Sequence, residues 1–188
     1  NDLRGVKNSK RGVAFELEAS TEQSEKKQAK LLKKAKKEYA RAQSRFEKAI
    51  AKLPGAFEAY SDLGFVLRKQ GQYDESLAAY NKALSLKSDY LPAVEYRGEA
   101  YLGLNRLDDA KQAYMVLFRQ DRQLADTLMT VMQSWVNNAV ATGELSEESR
   151  RAFSQWVDER AQIGEQTSDL SPQGLSSKDK TQWKTVAR

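Results

Sequence analysis

The feature that most constrains this chain is a spacing. Shifting the sequence by 34 residues carries Gly64 onto Gly98, Leu67 onto Tyr101, Gly71 onto Asn105, Tyr73 onto Leu107, Ser76 onto Ala110, Tyr80 onto Tyr114 and Ala83 onto Leu117. Except in the last pair, small meets small and large meets large. The same step backwards takes Ser76 to Ala42, Tyr80 to Phe46, Ala83 to Ala49, Leu84 to Ile50 and Ser88 to Pro54, so half a unit precedes the first full one. A fixed period of this length is the mark of stacked supersecondary units, each unable to cover its own apolar face.

Each unit holds two amphipathic stretches of about 14 residues with apolar positions three and four apart, which reads as two helices. They join at Gly71 or Asn105, the two residue types that best tolerate the left-handed conformation that ends a helix. Asp89 is read as the N-cap of the next helix, with Pro92 in its first turn. Glycine inside a helix costs about 1 kcal/mol against alanine, so Gly64 and Gly98, one period apart, call for compensation. Close approach of a partner helix supplies it, with Tyr80 and Tyr114 as the rings that fill the space opposite.

The pattern resembles the tetratricopeptide repeat. In the first unit Tyr60, Leu63, Gly64, Leu67, Ser76, Tyr80 and Ala83 follow its signature, with Leu67 for the usual aromatic and Ser88 for the usual Pro. In the second, Gly98, Tyr101, Ala110 and Tyr114 match, while Val94 is small for its place and Arg97 stands where Leu is expected. The resemblance implies an all-α fold: a right-handed superhelical stack of antiparallel helical hairpins. The expected organisation is an extension without helical periodicity over 1–20, flexible unless it finds a partner, then a helical domain over 21–163 and a flexible tail over 164–188. Within the domain, a lone basic helix spans 21–53, repeats span 57–90 and 91–124, and a divergent capping hairpin spans 125–163. Leu128, Val131 and Trp135 continue the period there, Ala152 and Trp156 restore a small-then-bulky pair, and Ser146 suits a helix start.

Composition removes most chemistry. The chain has no cysteine and no histidine, hence no disulfide, thiol nucleophile or imidazole base, and none of the zinc or haem sites built on those ligands. The adjacent acids Asp108 with Asp109 and Glu147 with Glu148 fall at helix starts, where negative charge is favoured anyway. The Ser24-x-x-Lys27 spacing lacks companion motifs. No phosphate loop, dinucleotide fingerprint or calcium loop occurs. The expectation is a non-catalytic chain without cofactor or metal.

In the resembling family the first helices line a groove that receives a peptide. Here that groove is expected to carry Glu58, Asp62, Phe65, Arg68 and Lys69, then Glu95, Tyr96, Glu99 and Leu102, then Met129. Its middle reads as acidic through Glu95 and Glu99, where other members place cations for a terminal carboxylate. The expected partner is therefore another protein's basic or apolar segment, anchored by Phe65, Tyr96, Leu102 and Met129.

Charge is uneven: residues 1–55 hold 15 Lys and Arg against 7 Asp and Glu, and residues 56–188 hold 16 against 19. A run of lysines at 26, 27, 30, 33, 34, 36 and 37 dominates the first part. Its alternative to a merely solvated face is an anionic-surface patch, centred on Lys26, Lys30, Lys33, Lys34 and Lys37, for membrane or nucleic acid; the absence of interleaved aromatics weighs against nucleic acid. Trp183 in the polar tail is either an isolated aromatic or a docking anchor. A start at Asn1 rather than Met is read as removal of an upstream piece, and with the absence of cysteine gives an expectation of a periplasmic or exported compartment, a cytoplasmic one being the alternative.

Overall fold

The computed structural model describes residues 3–138 and 145–167, and among these the regular structure is entirely helical: α1 (Leu3–Thr21), α2 (Glu25–Lys52), α3 (Phe57–Lys69), α4 (Tyr73–Leu86), α5 (Leu91–Gly103), α6 (Leu107–Gln120), α7 (Arg122–Asn138) and α8 (Glu147–Gln166). The all-α fold of paired helices is the one the period implies. The chain divides into two units, one ending at Tyr114 and the other beginning at Met115, within α6.

In the first unit α3 and α4 form the hairpin expected from the first full repeat. Gly64 is where it closes: a Cβ there would sit 2.6 Å from Tyr80 Cε1, so only glycine admits the ring. Ser76 on α4 donates its buried hydroxyl to the Gly64 carbonyl at 2.7 Å, adding a hydrogen bond at the same contact. Gly71 reverses the chain with φ +76°, and Asn105 does so one period later with φ +57°. Both ends close alike, Gln72 N–H reaching the Leu67 carbonyl at 3.0 Å and Arg106 N–H the Tyr101 carbonyl at 2.8 Å, which satisfies carbonyls left over at a helix end. Gly98 and Tyr114 are both buried, as their period predicts.

Two local readings change. Tyr90, not Asp89, is the cap position of α5; the Asp89 carboxylate instead pairs with Lys87 at 3.1 Å, and its backbone carbonyl accepts from Leu91. The extension over 1–20, expected to be flexible and without helical periodicity unless given a partner, instead contributes most of α1 (Leu3–Thr21), which packs on α2. The physical reason is a row of small residues: Gly5, Gly12 and Ala19, seven apart and all buried. A Cβ at Gly5 would lie 2.8 Å from Phe46 Cε1, and one at Gly12 would collide with the Tyr39 ring. Each step of seven up α1 thus answers a step of seven down α2, the register of an antiparallel pair. The upstream basic helix is therefore one arm of a hairpin, not a lone element.

A polar clamp fixes the same pair. Glu38, 3% exposed, accepts from Asn8 Nδ2 at 2.5 Å and from Arg41 at 2.6 Å, with Arg11 3.8 Å away. Burial alone would raise the carboxyl, but the Asn8 hydrogen bond and the charges of Arg11 and Arg41 outweigh it and hold its pKa below the ordinary glutamate value. The core of this part of the unit joins Ala35, Tyr39, Ala42 and Phe46 of α2 to Val66 of α3. The next core joins Leu77, Tyr80 and Ala83 to Ala93 and Ala100.

In the second unit, Ser146 caps α8 by accepting the Ser149 N–H at 3.1 Å, the helix start foreseen there. Phe153 is fully buried against Trp135, with ring centroids 5.3 Å apart. The inward face of α8 is Phe153 and Val157, whereas Ala152, expected to pack, is exposed. Arg122 ties the start of α7 to the end of α8, donating to the Gly164 carbonyl at 2.9 Å and to Thr167 Oγ1 at 3.1 Å. The second arm therefore runs past 163, to Gln166. Most of the tail assigned to 164–188, with Trp183, lies outside the described residues.

Candidate functional site: a cleft walled by α1, α3 and α5

The alternate helices α1, α3 and α5 border a cleft of about 260 Å³ in the first unit, lined by Val6, Ser9, Lys10 and Val13 of α1, Asp62 and Phe65 of α3, and Tyr96 of α5, with Phe46 of α2 behind them. Three of these residues, Asp62, Phe65 and Tyr96, belong to the groove read from the sequence. The α1 wall was missed because α1 itself was missed. Its signal lies in Val6 and Val13, which repeat the seven-residue step of Gly5 and Gly12 one position later. One face of α1 meets α2 and the adjoining one opens on the cleft.

Aromatic contacts hold the floor. Phe65 meets the edge of Tyr39 at 6.5 Å between centroids and tilts against Tyr96 at 5.7 Å. Phe65, Tyr96 and Asp62 are half-buried, so each is anchored yet presents surface. Beside them Arg68 lies 5.5 Å from the Phe65 centroid and 5.9 Å from that of Tyr96. It forks onto Glu99 with bonds of 2.6 and 3.0 Å, the two-point geometry that a guanidinium and a carboxylate favour.

That pair alters the electrostatics inferred from the sequence. Glu99 is neutralised by Arg68. Glu95 is 2% exposed with one carboxylate oxygen lacking a hydrogen-bond partner. Burial first, and the charge of Glu99 second, push its pKa up, favouring the protonated form. The acidic middle expected from Glu95 and Glu99 is therefore largely cancelled. Negative character lies instead with Asp62 and neighbouring Glu58: burial and the Glu58 charge raise the Asp62 carboxyl to about 6, so it is ionised at neutral pH at a cost that a cation would relieve. Lys10 stands among the lining residues of the α1 wall.

Other expected groove residues fall elsewhere. Lys69 is ion-paired with Glu16 of α1, bracing α1 against α3. Leu102, 2% exposed, and Met129, 6% exposed, are core residues, the latter in the second unit. A buried side chain offers a ligand no area, so neither serves as an open anchor. All seven lysines between 26 and 37 are exposed on α2. Among the described residues no group of three or more potential metal-ligating side chains occurs, and no helix is long and apolar enough to cross a membrane.

Comparison with known proteins agrees with the repeat. A 95-residue stretch, half of this chain, is 30% identical to the protein O-mannosyl-transferase TMTC3 of human, and the mouse protein of that name matches to the same degree. The chain spans only a tenth of the length of either relative. Residues 57–90, the α3–α4 hairpin and its flanks, match the tetratricopeptide repeat family model, over the same span expected for the first repeat from the 34-residue period and the resemblance.

Proposed function

We propose that this chain is a non-catalytic binding module that holds a segment of another protein in the cleft between α1, α3 and α5. Tetratricopeptide repeats mediate contacts between proteins, and stacked repeats use extended concave surfaces for the purpose. One observation carries the reading here: apolar Val6, Val13, Phe65 and Tyr96 converge on one cleft with a raised carboxyl, Asp62, at its edge. This arrangement suits a ligand with apolar anchors and one Lys or Arg placed to meet Asp62 and Glu58. The remaining polar groups, Ser9 and Lys10, sit on the opposite wall, where they set direction.

Selection of random peptides on the full chain tests this. Enriched peptides should combine apolar residues with a single cation, and Val13→Asn should weaken them at least about tenfold, an effect of the size expected for an interface anchor. Val13 is 41% exposed, so the substitution leaves the core alone. Peptides that bind Val13→Asn and Tyr96→Ala as well as they bind the parent would reject the cleft as the site.

A further inference from the structure

We propose that the outer face of α2 is a docking surface for an anionic lipid bilayer, independent of the cleft. Lys26, Lys30, Lys33 and Lys37 recur at steps of four, three and four, which stacks them in one stripe about 17 Å long. The opposite side of the helix is committed to the core through Leu31, Ala35, Tyr39, Ala42 and Phe46. The stripe is therefore held facing outwards by the fold and needs no ordering on contact. Lys27, Lys34 and Lys36 flank it, all exposed.

These cations are uncompensated. Among the described residues none of the seven lysines makes an ion pair, although Lys69, Lys87 and Lys111 elsewhere do. Of the two acids just upstream, Glu25 enters no ion pair among the described residues and Glu22 accepts the Ser24 N–H at 2.9 Å, while Lys34 rests over the Phe15 ring at 5.2 Å. Unpaired charge at this density repels itself, and a surface of opposite sign relieves that repulsion.

The chemistry of the stripe selects the surface. Every cation from 26 to 37 is lysine, with no arginine and no aromatic between them. Reading of phosphates and bases in nucleic acid favours the planar guanidinium, and single strands need rings to stack on. The diffuse negative potential of a bilayer asks only for point charges on one face, and clusters of four to eight such residues on an amphipathic helix are enough. Within the lysine run the large apolar side chain that reaches the surface is Leu32, 48% exposed and on the flank of the stripe, so contact depends chiefly on lipid charge.

The test uses the full chain with vesicles of phosphatidylcholine alone, the same lipid with about 30% phosphatidylserine, and a duplex DNA of random sequence. Sedimentation with the anionic vesicles at about 50 mM salt, none with the neutral ones, and release at about 500 mM are expected. The variant with Lys26, Lys30, Lys33 and Lys37 all changed to Gln should bind anionic vesicles about two to three orders of magnitude more weakly, each lysine at such a surface contributing roughly a factor of five. Glutamine is a good helix former and the sites are exposed, so helicity by circular dichroism should be unchanged. Absence of vesicle binding at low salt, equal binding by the variant, or binding to DNA with none to vesicles would each overturn the proposal.

Discussion

The first two hairpins of the chain solve the same packing problem with different sequences. In α3–α4 a helical glycine, Gly64, receives the ring of Tyr80; in α1–α2, Gly12 receives Tyr39 and Gly5 receives Phe46. The glycine and its ring lie 16 residues apart in the recognised repeat, 27 apart for Gly12 and Tyr39, and 41 apart for Gly5 and Phe46. What is shared is the contact, not the spacing. A ring needs a gap in the facing helix, and any pair of positions that meets this condition closes a hairpin. The family pattern records one economical way of meeting it, with a short helix and a tight turn; the longer arms of α1–α2 repeat the contact twice.

That equivalence can be broken by experiment. Truncating either ring should be the most damaging change: Tyr39→Ala and Tyr80→Ala, both at 1% exposure or less, should each cost about 3–5 kcal/mol in urea unfolding. If Tyr39→Ala costs less than about 1 kcal/mol, α1–α2 is not a structural equal of the recognised repeat. Adding a methyl group on the other side is milder. Gly12→Ala and Gly64→Ala should destabilise by about 1–3 kcal/mol, because the gain in helix propensity is outweighed by displacement of a buried ring.

The two hairpins also differ in how their carboxylates respond to acid, a smaller but more discriminating effect. Glu38 has a lowered pKa, so its contribution is present above the unfolded glutamate value and lost as pH falls through the folded one. Glu38→Gln should therefore cost about 1–2 kcal/mol at pH 7, and the cost should shrink as pH falls below the usual glutamate range and the native carboxylate is protonated. Asp62 is raised to about 6, so the fold is favoured below the unfolded aspartate value and loses that advantage as pH rises through 6. Asp62→Asn should leave stability unchanged near pH 3.5 and raise it at pH 7.5 by about 1 kcal/mol, a gain of roughly 2–4 °C in thermal unfolding. Opposite signs in the two variants are the result to look for; equal pH profiles would show that the clamp and the cleft do not differ as described.

How much of this the sequence disclosed depended on the range of each interaction. The helices from Phe57 to Gln120 were legible because a period repeats local signals: apolar steps of three and four, and Gly71 with Asn105 at the turns. The α1 helix was not, since two interior glycines cost about 2 kcal/mol of helix propensity and the compensation comes from rings on another helix. The site divides along the same line. Asp62, Phe65 and Tyr96 followed from their places on first helices, but Val6, Ser9, Lys10 and Val13 depended on α1. Leu102 and Met129 have the periodicity of a helix face, and periodicity alone does not say whether that face meets solvent or neighbouring side chains. The cancellation of Glu99 was equally hidden, because Arg68 stands 31 residues before it.

The seven-residue row of Gly5, Gly12 and Ala19 has a mechanical corollary. Because rings on α2 recur at the same interval, α1 can slide along its partner only in jumps of about 10.5 Å and still offer glycine to an incoming ring. A slip of one turn would place Asn8 or Ser9 against Phe46, and Phe15 or Glu16 against Tyr39. The hairpin is thus geared rather than greased, and the cleft wall on α1 keeps its alignment through the same teeth.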